Sequence, residues 1–313
     1  MGAAVTESDP PGADPPADAP TRLLHPRTIL RQYGIRPKRR LGQHFLVDPV
    51  HLTRILQAAD LRSTDRVLEI GPGLGVLTDA LAARAGSVVA VEVDAAMREV
   101  LMTTGALHGN VRVVAGDFLS SAPEELLGLD AACHGRLQGY KVVANLPYQI
   151  TSAALRHMLE ARVIPERVVV MLQREVGERI MARPGAMSIL AVSVQYYGRP
   201  SLVSSVPAAA FYPRPKVDSV VLRLDTYSEP PVDVPDAATL FRVVRAGFSQ
   251  KRKQLRNSLA SGLELSTSQA FELLQCAGVD PRRRAQTLAL DEWAALARAA
   301  VGTASPNLDS NAP

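Results

Sequence analysis

One stretch of the sequence combines side chains that suit a specific chemistry: residues 142–148 are Val-Val-Ala-Asn-Leu-Pro-Tyr. Asn145 offers a side-chain carbonyl acceptor, and Pro147 restricts the backbone so that the Leu146 carbonyl can point the same way. Tyr148 adds a flat ring on which a base can stack. Acceptors beside an aromatic face suit an exocyclic amine such as adenine N6, which needs its lone pair drawn out of the ring. An ordinary strand end with an Asn-Leu-Pro turn would explain the same residues.

A glycine-rich loop lies between a short apolar segment, residues 66–70, and a helical pattern that runs to residue 83. Gly71, Gly73 and Gly75 allow a tight turn and a close approach of the backbone to a ligand at a helix N-terminus. Their spacing is G-x-G-x-G, whereas dinucleotide sites have G-x-G-x-x-G. The loop therefore favours a cofactor without phosphates over a nicotinamide dinucleotide.

Two acidic side chains follow further predicted strands. Residues 87–91 end at Glu92, about twenty residues after the first glycine, where a carboxylate can accept hydrogen bonds from both ribose hydroxyls. A surface ion pair is the alternative for Glu92. Residues 111–115 precede Asp117, which can accept from an adenine amino group, and Phe118, which can cover the ring face.

These residues must be positioned by alternating strands and helices. Strands are predicted at 66–70, 87–91, 111–115, 142–145, 167–172 and 217–224. Asp48 and Pro49 are expected to begin a helix that runs to about residue 59. The alternation predicts an α/β fold with a parallel sheet, right-handed crossovers and a ligand at the carboxyl ends of the strands.

The composition limits the class of protein. The 313 residues carry 35 basic and 31 acidic side chains, so any surface that binds a polyanion must be a local cluster. Cys133 and Cys276 lie far apart, which argues against a zinc site or a disulfide framework, and we expect no metal. We find no apolar run approaching 18 residues and expect a cytoplasmic protein without a membrane span.

Domain boundaries follow shifts in composition. Residues 1–26 are rich in proline and are predicted to be a disordered leader rather than a signal peptide. Residues 27–228 form the α/β domain, and three prolines at 229–235 indicate a linker. Residues 229–303 are predicted to form a helical C-terminal domain, and 304–313 are expected to be a disordered tail.

Basic clusters are candidates for contacts with nucleic-acid phosphates, although each could be a solvated charge run. The last cluster is predicted to lie on one helical stretch beside Phe248. The candidates are Lys38, Arg39, Arg40, Arg214, Lys216, Lys251, Arg252, Lys253 and Arg256.

Six segments together resemble the KsgA (RsmA) family of small-subunit rRNA adenine dimethyltransferases, and the resemblance covers residues 35–290. The segments are Leu-Gly-Gln-His-Phe-Leu at 41–46, the acidic glycine loop at 69–75, the tip at 142–148, and residues 172–179, 211–219 and 248–257. The resemblance implies a Rossmann-like sheet that binds S-adenosylmethionine, followed by a small helical C-terminal domain that docks on RNA.

The resemblance also implies roles for single residues. Around position 44 it implies a lid over the cofactor, and the family usually has Asn where this chain has His44. The implied cofactor-binding residues are His44, Leu46, Gly71, Glu92, Asp117 and Asn145. The implied reacting tip is Asn145, Leu146, Pro147 and Tyr148.

The implied reaction is in-line transfer of the sulfonium methyl to N6 of two adjacent adenines near the 3′ end of 16S rRNA, twice on each. The implied partner is the small ribosomal subunit, whose biogenesis the protein would assist, and we expect a monomer. Alternatives are a large-subunit methyltransferase of the macrolide-resistance type, a mainly non-catalytic assembly checkpoint and a DNA adenine methyltransferase. Residues 211–219 and 248–257 favour the small-subunit family.

Overall fold

The computed structural model describes residues 25–103, 108–129 and 139–303. The predicted tail, Cys133 and all of the predicted leader up to residue 24 lie outside the described residues. Helix α1 (Pro26–Gln32) was not indicated by the sequence pattern, and its N-cap His25 accepts a hydrogen bond from the Arg27 N–H. Ile29 and Leu30 are buried, so the hydrophobic core already includes residues at the boundary of the predicted leader.

Nine strands lie in the described part of the chain and form two sheets. In chain order they are β1 (Phe45–Leu46), β2 (Arg66–Ile70), β3 (Ser87–Glu92), β4 (Val111–Ala115), β5 (Tyr140–Asn145), β6 (Arg167–Gln173), β7 (Gly198–Val206), β8 (Phe211–Tyr212) and β9 (Ser219–Thr226). The main sheet has seven strands in the order β4-β3-β2-β5-β6-β9-β7, and β1 pairs with β8.

Helices connect the strands and continue beyond them. After α1 they are α2 (Pro49–Ala59), α3 (Val76–Ala82), α4 (Ala95–Thr103), α5 (Pro123–Leu127), α6 (Thr151–Leu159), α7 (Arg174–Ile180), α8 (Ile189–Tyr197), α9 (Ala237–Phe248), α10 (Leu255–Gly262), α11 (Thr267–Cys276) and α12 (Leu290–Thr303). Among the described residues, no helix combines the length and apolar character needed to cross a bilayer.

The predicted α/β architecture is confirmed, but the prediction of an all-parallel sheet is wrong. The five strands from β4 to β6 pair in parallel, whereas β9 pairs antiparallel with both β6 and β7. Residues 207–218 join β7 to β9 and contain a 3₁₀ turn and β8 but no α-helix, whereas parallel neighbours are usually joined through a crossover helix. The sequence did not reveal β7, since this edge strand contains Gly198, Pro200 and several serines.

Local signals set the start of α2 as predicted. The Asp48 carboxylate accepts a hydrogen bond from the Val50 N–H at 2.9 Å, and Pro49 occupies the first turn, where its missing N–H is not needed. Leu52 and Ile55 are buried among side chains of one face of the sheet. The cap therefore fixes the start of a helix that packs on this face of the sheet.

The C-terminal helices share a hydrophobic core with the other face of the sheet. One continuous cluster of buried side chains runs from β5 and β6 through α8 into α9 and α12. Tyr196 and Tyr197 at the end of α8 pack their rings against Phe241 of α9, with centroids 5.5 and 6.0 Å apart. The fully buried Trp293 stacks on Phe248 at 5.5 Å. The predicted linker, 229–235, contains neither helix nor strand.

The prediction of one helical stretch across residues 250–256 is wrong. Helix α9 ends at Phe248, where the Ser249 hydroxyl donates to the Ala246 carbonyl at 2.7 Å. Residues 251–253 form an exposed turn, and α10 begins only at Leu255, which is fully buried. We call residues 251–253 the basic turn. Three of the four predicted phosphate contacts of this cluster therefore lie on a turn, and only Arg256 lies on a helix.

Candidate active site

A cavity of about 220 Å³ opens at the carboxyl ends of the parallel strands β2, β3 and β5, as expected for this type of sheet. All residues predicted to bind the cofactor or to form the reacting tip line it. They are His44, Leu46, Gly71, Glu92, Asp117, Asn145, Leu146, Pro147 and Tyr148. Residues as far apart in sequence as His44 and Tyr148 therefore meet in one place.

The glycine loop forms one wall of the cavity. Gly71, Gly73 and Gly75 have φ values of 68°, 58° and 83°, a region that other residues rarely adopt. A Cβ on Gly73 would lie 2.9 Å from the Phe45 ring, and one on Gly71 would lie 3.3 Å from Pro147. Because glycine has no Cβ at these positions, Phe45 and Pro147 can pack directly against the backbone of the loop beside the cavity.

Glu92 is held firmly at the end of β3. Its two carboxylate oxygens accept hydrogen bonds from the Gly73 N–H at 3.1 Å and from the Asp94 N–H at 2.8 Å. Burial raises the pKa of Glu92, although these backbone donors oppose the shift. The carboxyl group is thus oriented by two strand ends and faces the cavity with little freedom to rotate.

A segment that we call the strap, residues 38–46, crosses the cavity and is fastened to Asp94. The buried Asp94 carboxylate accepts from Lys38 Nζ at 2.7 Å and from Gln43 Nε2 at 2.8 Å. The Gln43 side-chain carbonyl in turn accepts from the Lys38 N–H at 2.7 Å. Burial alone would raise the pKa of Asp94, but these donors outweigh it and the pKa is lowered.

We call the hydrogen bonds of Lys38 and Gln43 to Asp94 the clasp. They give the Lys38 ammonium group a partner within the protein. This ammonium group, predicted from the sequence to contact phosphate, is engaged by a carboxylate 56 positions away. A contact between Lys38 and RNA stays a prediction.

The reacting tip is oriented by its neighbours. Asn145 Nδ2 donates to the His44 carbonyl at 3.0 Å, so the Asn145 side-chain oxygen points away from His44. The Leu146 N–H donates to the Met171 carbonyl at 3.0 Å, which continues the β5–β6 pairing into the tip. The Tyr148 hydroxyl lies 2.8 Å from Ser219 Oγ. Burial raises the pKa of Tyr148 against the opposing effect of Ser219, so the phenol stays neutral.

The His44 ring makes two contacts away from the glycine loop. It stacks on Tyr148, with ring centroids 5.7 Å apart and an interplanar angle of 24°. Its Nδ1 lies 2.6 Å from the Pro213 carbonyl oxygen. The ring therefore joins the strap to the connection between β8 and β9.

Asp117 and Phe118 close another side of the cavity. Asp117 accepts from the Leu119 N–H at 3.0 Å and so caps a turn of 3₁₀ helix after β4. The buried Phe118 ring meets His157 edge-on at 5.0 Å. This packing fixes the ring that was predicted to cover a bound base.

Sequence reasoning assigned no role to Glu69, which also lines the cavity. It is buried on β2, and its Oε2 has no hydrogen-bond partner among the described residues. Burial, opposed by the Thr78 hydroxyl and reinforced by the charge of Glu92, raises the pKa of Glu69 to about 8. The available signal was a single acidic residue inside the apolar run Val-Leu-Glu-Ile.

The other predicted phosphate contacts lie outside the cavity, apart from Arg40 at its edge. Arg214 and Lys216 are exposed on the loop that follows β8, and the basic turn is exposed beyond α9. Arg256 is half-buried, and its Nε has no hydrogen-bond partner in the part of the chain that the structure describes. The basic candidates therefore lie on three segments of the chain: the strap, the loop after β8, and the basic turn with Arg256.

The charges of the cavity indicate what it can hold. Its lining includes the carboxyl groups of Glu92 and Asp117, one arginine, and the buried Glu69, whose raised pKa of about 8 favours the neutral form. This set suits a cationic nucleoside, whose ribose and amino groups donate hydrogen bonds, better than it suits a phosphate-bearing cofactor. Within the described ranges there is no group of three or more His, Cys, Asp or Glu side chains that could hold a metal ion.

Comparison with known proteins agrees with this geometry. Residues 34–299 match the family model described as "Ribosomal RNA adenine dimethylase". The chain is 47% identical over 273 residues to the ribosomal RNA small subunit methyltransferase A of Moorella thermoacetica, covering 86% of this chain and 94% of the relative. It is 45% identical over 277 residues to the protein of the same name from Dehalococcoides mccartyi strain BAV1, covering 88% and 93%.

Solved structures share the fold. The crystal structure of the 23S rRNA methyltransferase ErmE is similar with a TM-score of 0.61 and 29% identity, covering 82% of this chain and 98% of that one. A dimethyladenosine transferase from Plasmodium falciparum is similar in fold with a TM-score of 0.64 at 24% identity, covering 80% and 95%. With a sheet, cavity and tip that fit an adenine methyltransferase, the chain belongs to the ribosomal RNA adenine dimethylase family.

Proposed function

We propose that this protein transfers methyl groups from S-adenosylmethionine to N6 of two adjacent adenines near the 3′ end of 16S rRNA, and so takes part in small-subunit biogenesis. The observation that carries the proposal is the meeting of the Asn145–Tyr148 tip with the glycine loop and its acidic residues in one cavity. The family and the names of the relatives at 45–47% identity support the same substrate.

The donor set of the cavity fits S-adenosylmethionine. We assign the ribose to Glu92, the adenine amino group to Asp117, and the methionine part to the backbone of the strap at His44 and Leu46 and to the neighbourhood of Gly71 and Asn145. When bound, the cofactor supplies an electrophilic sulfonium methyl. The protein itself binds and orients the groups, and excludes water beneath the strap.

The tip prepares the amine that is methylated. The Asn145 side-chain oxygen, already turned away from His44, and the Leu146 carbonyl would accept the two N–H groups of the target adenine. These acceptors favour a more tetrahedral nitrogen, while Tyr148 supplies the stacking face. The neutral Tyr148 phenol is unsuited to act as a base, and the tip needs none, since the nitrogen proton becomes acidic once the nitrogen is alkylated.

Positioning then accounts for most of the rate enhancement. Well-aligned reacting groups can contribute roughly 7–11 kcal/mol to lowering a barrier. The target adenine must leave its stack to enter the cavity, which costs a few kcal/mol. We assign RNA phosphate contacts to the exposed arginines of the strap, to the loop that carries Arg214 and Lys216, and to the basic turn with Arg256, which together would offset that cost.

A large-subunit rRNA methyltransferase is the second candidate, because the ErmE structure is 29% identical over most of the chain. The higher identity to the small-subunit relatives favours the first candidate. A checkpoint role on immature subunits is compatible with either activity. We further propose that the protein acts as a monomer in the cytoplasm, where subunits are assembled.

The test is methyl transfer from radiolabelled S-adenosylmethionine to small subunits that lack adenine dimethylation. Naked rRNA, large subunits and DNA serve as parallel substrates, with nucleoside analysis of the product. Dimethyladenosine formed on the small subunit alone is the expected result. Tight binding to the subunit without transfer would favour the checkpoint role, and transfer to large subunits would favour the second candidate.

A further inference from the structure

The strap is fastened at two places that serve different sides of the cavity. Lys38 and Gln43 hold its first half to Asp94, next to the Glu92 carboxyl group. The second half runs past the tip to the β8 region, where the backbone of β1 pairs with β8 in the register Phe45↔Tyr212. His44 is the residue at which the strap passes from the first side to the second.

The backbone and the side chain of His44 contact different groups. Its backbone carbonyl accepts the hydrogen bond from Asn145 Nδ2 at 3.0 Å. Its ring faces Tyr148 and the Pro213 carbonyl, which lies 2.6 Å from Nδ1. Because a carbonyl oxygen only accepts, Nδ1 must carry the proton, and the Nδ1–H tautomer and the imidazolium can both donate this bond.

The β1–β8 pairing limits the freedom of this ring. The Val47 N–H donates to the Ala210 carbonyl at 2.9 Å, so the backbone on the C-terminal side of His44 is fixed at the start of β8, whose other end leads directly into Pro213. Pro215 is buried, while Arg214 and Lys216 on either side of it are exposed. Arg214 and Lys216 therefore lie within three residues of the Pro213 carbonyl that the His44 ring contacts.

We propose that His44 is a positioning residue for the target adenine, and that its side chain does not bind the cofactor. By stacking on Tyr148 and donating to Pro213, it holds the tyrosine ring in the orientation in which a base can stack. It also links that ring to the loop that carries Arg214 and Lys216. This inference rests on the proposed function and deepens it, because it assigns the His44 ring to the RNA side of the site.

Three variants separate the contacts of the ring. His44→Ala removes both the stacking and the hydrogen bond, His44→Asn keeps a donor near the position of Nδ1, and His44→Phe keeps a ring without a donor. The assay measures kcat and KM on small subunits that lack adenine dimethylation, cofactor Kd by titration calorimetry, and Tm for each variant.

We expect these variants to impair methyl transfer to the RNA without weakening cofactor binding. His44→Ala should lower kcat about tenfold, as expected when a half-buried carbonyl loses its hydrogen-bond donor, while cofactor Kd stays within about twofold of the wild type. His44→Asn and His44→Phe should each recover part of the lost kcat, because each retains one contact.

Other outcomes would overturn the inference. A tenfold rise in cofactor Kd for His44→Ala with kcat unchanged would mean that the His44 ring binds the cofactor. An equal fall in kcat for all three variants, together with a common drop in Tm, would mean that the ring is only part of the packing. Transfer by the wild type to another of the four substrates would overturn the small-subunit assignment alone, and the same variants on that substrate would still decide the role of His44.

Discussion

Replacing Glu69 with glutamine tests whether the carboxyl group at the floor of the cavity is protonated in the folded protein. Burial is the main cause that raises the pKa of Glu69 to about 8, from an ordinary value of 4.5. Between these two pH values the folded state holds the proton while the unfolded chain releases it. The stability contributed by Glu69 is therefore fully present below pH 4.5 and is lost as the pH rises through 8.

The size of the effect follows from the same pKa. Each pKa unit between the two states corresponds to roughly 1.4 kcal/mol, so about 2 kcal/mol of stability is lost between pH 6 and pH 8 through this residue. Glutamine has the shape of the neutral acid but cannot ionise. Glu69→Gln is thus expected to gain about 2 kcal/mol relative to the wild type over that range.

Urea unfolding at pH 6, 7 and 8 measures this difference. Other groups titrate equally in both proteins, so the difference between the two free energies of unfolding isolates residue 69. Glu178→Gln on the exposed face of α7 is the matched control and should show no change in that difference. Parallel stability curves for Glu69→Gln and the wild type would refute the reasoning, because they would mean that Glu69 is ionised in the folded protein.

Three further predictions concern the tip, the basic turn and the strap. Asn145→Ala should keep RNA binding but lower kcat for methyl transfer about 10²-fold, as for the loss of one preorganised hydrogen bond; full activity with radiolabelled methyl would contradict this. Alanine at all three positions of the basic turn should reduce the salt dependence of RNA binding by about 3 in slope, whereas alanine at the exposed Arg62 and Arg66, at the amino end of β2, should not. Asp94→Asn should raise cofactor Kd, measured by calorimetry, because Lys38 loses its ionic partner; an unchanged Kd would mean that the clasp does not close the site.

Elements governed by local signals could be predicted from the sequence. β2 and β4 were predicted with the observed bounds because each is an apolar run with sharp ends, and α2 because Asp48 caps it. β7 was missed because an edge strand can be polar and can contain a proline. Its register depends on β9, which the local sequence of β7 does not contain.

The site shows the same division between local and long-range information. Glycines, acids and the Asn-Leu-Pro-Tyr tip were found because their spacing along the chain reflects strand ends. The partner of Lys38 was not found, since Asp94 lies on a different loop and the pair forms only in the folded chain. The Glu69 pKa was equally hidden, because burial depends on the whole sheet.

The aromatic contacts between α8 and α9 have a geometric consequence for substrate choice. Tilting the C-terminal helices away from the sheet would expose Tyr196, Tyr197 and Phe241, and burial of each such ring is worth roughly 1.5–3 kcal/mol. The basic turn follows α9, so the packing of α9 against α8 holds the turn at a fixed distance from the cavity. If the basic turn binds RNA as proposed, this fixed distance would make the folded shape of the RNA, and not only its sequence, a determinant of which adenine reaches the cavity.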